Sequence, residues 1–581
     1  MGKRGIIYIF FGILIAGAFF RFYLITEIPL GLYPDEAMNG NNALEALAEG
    51  NFKIFYPENN GREGFFINLQ ALSIWFFGNE PWALRVVSAL FGTLTILGVY
   101  LLSRELFMNQ ELGIKNYGNA NKNHDSLFMI PDSTTIALLS SFFLATSYWH
   151  LNFSRIGFRA IMVPFLATFG LYFLLKGLRN GKILDMVWAG IFIGLGFHTY
   201  IAFRFMPFVV TVPIIWYLWK WWKERDMDMS GSPTFQESRA SKKCAPCAIL
   251  LFLFITFVTA LPIGYYFLQN PGDFLGRGGQ VSIFAAESPL YEFAKSNFLT
   301  LQMFFWQGDC NWRHNYACQP QLHPLVAFFF VIGFLTAISH AVKGITNYSS
   351  RSSSGGAGKL QATSLLTWFF FMSLPATLTR EGLPHALRAI GMIPPVMIMA
   401  GFGAWRFIQT ILGWFETKKE QRPHSEKQLT RIQKEFCLLF VLTLLFVPLS
   451  TYRTYFLKWA YNEKTYFSFA TDTLHIGQYL DELPQETKKY VLVNQSGVEV
   501  RNIPMSAQTV MFATDTFQYE QRQKRAITYT TDVETIIVVP GEPTLITMLN
   551  GFDRVAIVRL KEKFPDLIQK APSDFIVFQN Y

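Results

Sequence analysis

Apolar residues along this chain come in long blocks parted by short polar stretches, and block after block approaches the length of a membrane crossing. A bilayer core about 30 Å thick takes roughly 20 apolar residues in a helix that rises about 1.5 Å per residue. Runs near 5-25, 81-104, 133-153, 160-178, 184-201, 203-222, 247-268, 323-343, 363-379, 389-408 and 434-450 fit that requirement. They predict a polytopic α-helical membrane protein with about 11 transmembrane helices. The run GFFINLQALSIWFFG, residues 64 to 78, is too short to cross and is expected to lie on or dip into the membrane surface. Beyond residue 450 the pattern changes. KKYVLVNQSGV, ETIIVVPGE and RVAIVRL read as short strands, LHIGQYLDELPQET and KEKFPDLIQKAP as helices between turns. The expected organisation is a transmembrane domain at 1-450 with outer loops at 26-80 and 269-322, then a C-terminal soluble α/β domain at 451-581.

Composition agrees, with 51% hydrophobic and 17% aromatic residues against 16% charged, a balance that excludes an ordinary soluble protein. The opening MGKRGIIYIFFGILIAGAFF has the layout of a signal peptide, but its apolar character runs on to Ile25, so an uncleaved first span is expected. The net charge of +9 does not point to nucleic acid, because the basic residues are scattered through short loops and form no single face. Their distribution instead sets topology. One side receives Lys3 and Arg4; Lys176, Arg179 and Lys182; Lys220, Lys223, Arg225, Arg239, Lys242 and Lys243; Lys343, Arg351 and Lys359; then Lys418, Lys419, Arg422, Lys427, Arg431 and Lys434. By the positive-inside rule that side is cytoplasmic, which puts the N-terminus inside the cell membrane and the tail outside it. SSRSSSGGAG, residues 349 to 358, is expected to be a flexible inner linker. Five cysteines make no disulfide framework: Cys437 is expected to pack in a helix, and Cys310 and Cys318 would bridge if their shared loop faces an oxidising compartment. CAPC, residues 244 to 247, lacks a second pair or a histidine partner and reads as coincidence, not as a zinc site.

Ionisable groups at mid-bilayer are costly and usually mark function. These spans carry almost none there, which argues against a proton- or ion-coupled transporter. The polar groups collect at the expected outer ends of spans: Asp35 and Glu36 of GLYPDEAMNG; Glu58, Arg62 and Glu63 of YPENNGREGFF; Arg155 and Arg159 of HLNFSRIGFRAIMVP; His198, Tyr200 and Arg204 of GFHTYIAFR; Arg380, His385 and Arg388 of TREGLPHALRAIG. A carboxylate can take a proton from an acceptor hydroxyl, and arginines can hold a phosphate through charge-assisted hydrogen bonds. The set suits transfer from a phosphate-linked donor to a hydroxyl. Plainer readings stand beside it: Asp35 could cap a helix starting at Ala37 or only solvate its loop, Arg155, Arg159, Arg204 and Arg388 could snorkel to headgroups, and His198 could be structural.

A first span ending in RFYLI, a loop with PDE, GREGFF leading into a surface helix, FGNEPWALRVVSALFGTLTILGVYLLSRELF, and a span ending in NFSRIGFRAIMVP together resemble the membrane-embedded GT-C glycosyltransferases. More closely they are similar to the dolichyl-phosphate-mannose protein mannosyltransferase and aminoarabinose transferase group. The resemblance covers residues 1 to 210; the later spans agree in general layout, and the tail lies outside it. It implies a lipid-phosphate sugar donor in the outer leaflet, a reaction on the extracytoplasmic face, and a catalytic first-loop acid at Asp35 with Glu36 beside it. Arg62 and Glu63 correspond to the Arg-Glu pair opening the surface helix, and Arg155 to the arginine at the exit of the third span. Relatives often carry a second acid after that arginine. Here SRIGFRAIMVP offers Arg159 and no carboxylate, which weakens the case for a metal; no cofactor is assigned, and a divalent metal is left open.

The expected function is transfer of a sugar from a polyprenyl (dolichyl or undecaprenyl) phosphate to a hydroxyl on a protein, lipid or glycan. Asp35 would be the general base, or Glu36 with Asp35 in support, while Arg62, Arg155, Arg159 and Arg388 neutralise the leaving phosphate. Two rivals remain. One is block transfer of a whole glycan, as by an oligosaccharyltransferase or O-antigen ligase. The other is a non-catalytic transporter or scaffold for a lipid-linked substrate; transport would need a polar route through the bilayer, and the spans offer none.

Overall fold

The computed structural model describes residues 3–115, 132–228, 245–274, 282–346 and 353–581. Arg239, Lys242, Lys243, Cys244, Arg351 and the start of the 349–358 stretch lie outside the described residues. Among the described residues eight helices are long and apolar enough to cross a membrane: Arg4–Phe22, Pro81–Met108, Arg159–Asn180, Ile201–Lys223, Pro246–Gln269, Pro324–Val342, Ile390–Gln421 and Pro423–Trp459. Each matches an expected span. The other three expected spans fall on helices α5 (Asp132–Ala145) with α6 (Tyr148–Phe153), α8 (Ile183–Gly196), and Ser353–Thr377. The run expected as one helix at 133-153 is thus two, because the Ser147 hydroxyl takes the His150 N–H at 3.3 Å and caps a new helix there. The stretch at 349–358 is not a linker throughout, since the helix feeding the next span already begins at Ser353.

Between helices α1 (Lys3–Phe22) and α4 (Pro81–Lys115) the first long loop folds into α2 (Pro34–Glu49), a hairpin of β1 (Phe55–Tyr56) and β2 (Arg62–Glu63), and α3 (Gly64–Phe77). At 14 residues, α3 spans about 21 Å, too little to cross, and it leaves Leu72, Trp75, Phe76 and Phe77 exposed as a surface helix would. Apolar neighbours give membrane helices little reason to associate, so close approach through small residues and buried polar bonds does much of the work. The helices Pro324–Thr346 and Ile393–Gln421 meet at Gly333 and Gly403: a Cβ on Gly333 would stand 1.8 Å from the Met399 carbonyl oxygen, and one on Gly403 1.9 Å from that of Phe329. The buried Arg21 of α1 donates to the Gly17 and Ala145 carbonyls at 2.8 and 3.2 Å and lies 2.7 Å from His150 Nδ1.

After the helix Glu426–Tyr452 the chain makes a π-helical passage, Arg453–Trp459, and enters the tail. There a five-stranded sheet runs in the order β6 (Ile527–Thr530), β3 (Lys488–Leu492), β7 (Thr544–Met548), β9 (Val577–Gln579), β8 (Ile568–Lys570), with β6, β3 and β7 parallel and β9 antiparallel to both its neighbours. KKYVL is the expected strand, and LHIGQYLDE is part of the expected helix, Thr471–Glu482. Three readings fail. RVAIVRL belongs to a helix, Arg554–Lys563, because Asp553 caps it by accepting the Ala556 N–H at 3.1 Å and Ala556 and Leu560 share its buried face. ETIIVVPGE holds one short 3-10 turn, Val533–Thr535, and no strand, and KEKFPDLIQKAP leaves that helix at Lys563 to form β8.

The tail closes over α2. Asn41 donates to the Gln508 carbonyl and side-chain oxygens at 3.1 and 2.8 Å, Thr509 to the Leu32 carbonyl at 2.9 Å, and Arg501 pairs with Glu45 and Glu58 at 2.7 and 3.1 Å. Glu58 therefore faces the tail.

Candidate functional site

Helix α2 begins at Pro34, whose fixed φ suits a first helical position, so Asp35 and Glu36 both sit in the first turn, where the helix dipole favours negative charge. Tyr33 occupies the cap position without a side-chain cap bond; the reading of Asp35 as the cap of a helix starting at Ala37 is thereby corrected. One step around the helix gives the two acids opposite fates. Glu36 is fully buried: its Oε1 accepts the Gly157 N–H at 2.6 Å and Arg85 Nε at 3.1 Å, and its Oε2 accepts Arg85 Nη2 at 3.3 Å. Arg85 also donates to the Pro29 and Gly31 carbonyls at 2.6 and 2.5 Å. The pair welds α2 to α4 and to the 155–158 turn, and Glu36 exposes no oxygen to a substrate.

Asp35 is half-buried, and its Oδ1 accepts Asn59 Nδ2 at 2.5 Å. Tyr33 lies between it and a cation from far along the chain. The Arg313 guanidinium sits 3.9 Å from the Tyr33 ring centroid, held by Asn311 Oδ1 at 3.1 Å from its Nε. Burial first, then the Asp35 charge, raises the Tyr33 hydroxyl above its ordinary pKa, and Arg313 opposes that rise. Arg313 arrives on the second long loop, inside the 310–318 segment closed by the Cys310–Cys318 disulfide, so the expected bridge is present.

The hairpin brings Arg62 to the same side. It is buried, with Nη1 donating to Asn39 Oδ1 at 2.7 Å and Nη2 to Asn42 Oδ1. Burial and neighbouring Arg159 lower its pKa to about 10, against the opposing pull of Asp35 and Glu58. Its neighbour Glu63 accepts Arg159 Nε at 2.8 Å, and the Arg159 guanidinium lies 5.5 Å from the Tyr200 ring centroid. Glu63 is also within electrostatic reach of His198 and Arg204. His198 Nε2 stands 2.9 Å from the Thr259 carbonyl, while Arg204 donates to the Phe274 carbonyl at 2.9 Å and covers that ring at 4.0 Å.

Arg155 is the main correction. It is fully buried and points back to the end of the first span, donating to the carbonyls of Phe20, Arg21, Leu24 and Ile28 at 3.1, 2.8, 3.1 and 3.0 Å, with Tyr455 and Phe456 against its guanidinium. It satisfies the open carbonyls at the end of α1 and has no donor directed at Asp35. Arg388 Nη1 binds Thr379 Oγ1 and the Glu381 carbonyl, both at 2.8 Å, and Arg380 is exposed. His385 belongs to another group, with Asp309 and His314.

The residues brought together around Asp35 are thus Tyr33, Asn59, Arg62 and Arg313, with Glu63, Arg159 and Tyr200 alongside. Tyr33, Asn59, Arg85 and Arg313 escaped sequence reasoning. Tyr33 stands inside GLYPDE, and the one local mark on Arg313 is its place between two cysteines in a polar loop.

No family model matches the sequence, and no curated protein matches it. Among solved structures, ArnT from Cupriavidus metallidurans bound to undecaprenyl phosphate aligns over 100% of this chain and 99% of its own, at 14% identity and a TM-score of 0.51. Its apo state aligns equally, at 14% identity and a TM-score of 0.51 over 100% of this chain and 99% of that one. The likeness shows the fold: a polytopic GT-C membrane architecture with a sheet-bearing C-terminal region.

Proposed function

We propose that the chain is an integral membrane glycosyltransferase that moves a sugar from a polyprenyl phosphate to an acceptor hydroxyl on the extracytoplasmic face. The carrying observation is the divergence of the acid pair: Glu36 is buried against Arg85 and Gly157, while Asp35 stays half-exposed between Asn59 and the Tyr33 hydroxyl with two arginines nearby. Asp35 takes the acceptor hydroxyl proton as the oxygen attacks the anomeric carbon. The bond from that carbon to the phosphate oxygen breaks, and its electrons leave with the polyprenyl phosphate. Arg313 replaces Arg155 as the cation that meets this charge, with Arg159 as a second. Arg62 holds the hairpin against α2. A carrier lipid supplies the donor within the membrane, and the undecaprenyl phosphate bound to ArnT, the structural neighbour, supports that source.

The test is reconstitution of the full chain in liposomes made with extracted lipid-linked sugars, following release of polyprenyl phosphate. Consumption of a lipid-linked sugar is expected; folded protein that consumes none overturns the reading. Arg313→Gln should lower kcat by roughly 100-fold, the scale for losing one donor to a developing anion, with the unfolding temperature unchanged. An undiminished kcat would remove Arg313 from the site.

A further inference from the structure

We propose that Asp309, His314 and His385 bind a divalent transition-metal ion of the zinc class, tying the second outer loop to the 380–389 connection. One donor atom from each residue lies within 4.8 Å of the other two. The Nδ1 atoms of His314 and His385 stand 2.8 and 4.0 Å from the same oxygen, Asp309 Oδ2. Two donors on one tetrahedral zinc ion sit about 3.3 Å apart, given metal–ligand bonds near 2.0–2.2 Å, so side-chain shifts of about 1–1.5 Å would close the set around an ion.

Charge supplies an independent argument. Asp309 is 3% exposed, and among the described residues its ion-pair partners are these two histidines, with no lysine or arginine. An anion so buried needs a compensating cation. The nearest arginine on the 380–389 connection, Arg388, directs its Nη1 to Thr379 and Glu381. Its backbone N–H makes a long contact, 3.4 Å, to His385 Nδ1. Neutral imidazoles carry their proton on either nitrogen, so both Nδ1 atoms can present lone pairs.

The surroundings are those of an oriented ligand. Asp309 Oδ2 also accepts the Ala386 N–H at 2.9 Å and Oδ1 the Asn311 N–H at 2.8 Å, while Trp149 Nε1 holds the Ala386 carbonyl at 3.1 Å. Two imidazoles and one carboxylate favour zinc or its neighbours over calcium or magnesium, and three protein donors leave a position for water. His314 follows Arg313 directly. An ion here fixes the loop that delivers that guanidinium to Tyr33, and the Cys310–Cys318 bridge braces the same loop from its other side.

The test reads metal, not activity, and so stands apart from the reaction proposed above. Full-length, tag-free protein is stripped with a chelator in detergent and loaded with Co2+, then Zn2+. Expected are stoichiometric Co2+ with visible ligand-field bands, their loss on adding Zn2+, and a rise in unfolding temperature with either ion. His385→Asn, at the least buried of the three positions, should abolish the bands while the chain still folds, and His314→Ala should do the same. Wild-type protein that stays substoichiometric with an unmoved unfolding temperature overturns the proposal. Bands that persist in a folded His385→Asn variant overturn it equally.

Discussion

Replacing Asp35 with Asn should reduce sugar transfer by about 100- to 10,000-fold, the range in which a positioned general base contributes, while the protein folds as before. The amide keeps the size of the side chain and an oxygen to accept the Asn59 N–H, but it cannot hold the acceptor's proton. Asp35 is half-buried and takes no part in the Glu36–Arg85 weld, so the unfolding temperature should not move. The measurement is single-turnover release of polyprenyl phosphate beside a thermal unfolding curve. A variant that retains the wild-type rate would dismiss Asp35 as base.

The second large effect is on stability. Arg85→Met should cost about 3–5 kcal/mol, because it strands the fully buried Glu36 carboxylate without its counter-charge and leaves the Pro29 and Gly31 carbonyls without their donor. The variant's unfolding midpoint in a denaturant series should fall accordingly, and Glu36→Gln should fall less, since an amide oxygen can still accept the Gly157 N–H. The pattern separates the two acids: position 35 governs rate, position 36 governs survival of the fold. A Glu36→Gln protein with native stability and no transfer would reverse that division.

How far the sequence alone leads follows from how local each signal is. A membrane span declares itself within its own 20 or so residues, so every expected span found a helix, and the short run at 64 to 78 was recognised as too brief to cross. Asp35 stands out as a candidate from its place just beyond the first span. The arginines do not, because an arginine's task depends on acceptors the fold brings from elsewhere. Arg155 meets carbonyls between 127 and 135 residues away and becomes a helix cap, whereas Arg313 reaches Tyr33 from the far outer loop and becomes a candidate for phosphate. The same reason confused the tail. RVAIVRL is apolar enough for either strand or helix, and a short run of that kind is decided by its cap and neighbours instead of its period.

The glycine contact between Pro324–Thr346 and Ile393–Gln421 has a reach beyond its own neighbourhood. One of these helices continues the loop bearing Asp309 and Arg313, the other the connection bearing His385. Their backbones touch with no side chain between them, so the crossing sets the gauge between those two connecting segments, as a rivet sets the opening of a pair of tongs. A methyl group added there would pry the jaws apart. A random library scored on turnover alone would then yield dead clones at an uncharged greasy seam, with their cause lying at the membrane's rim.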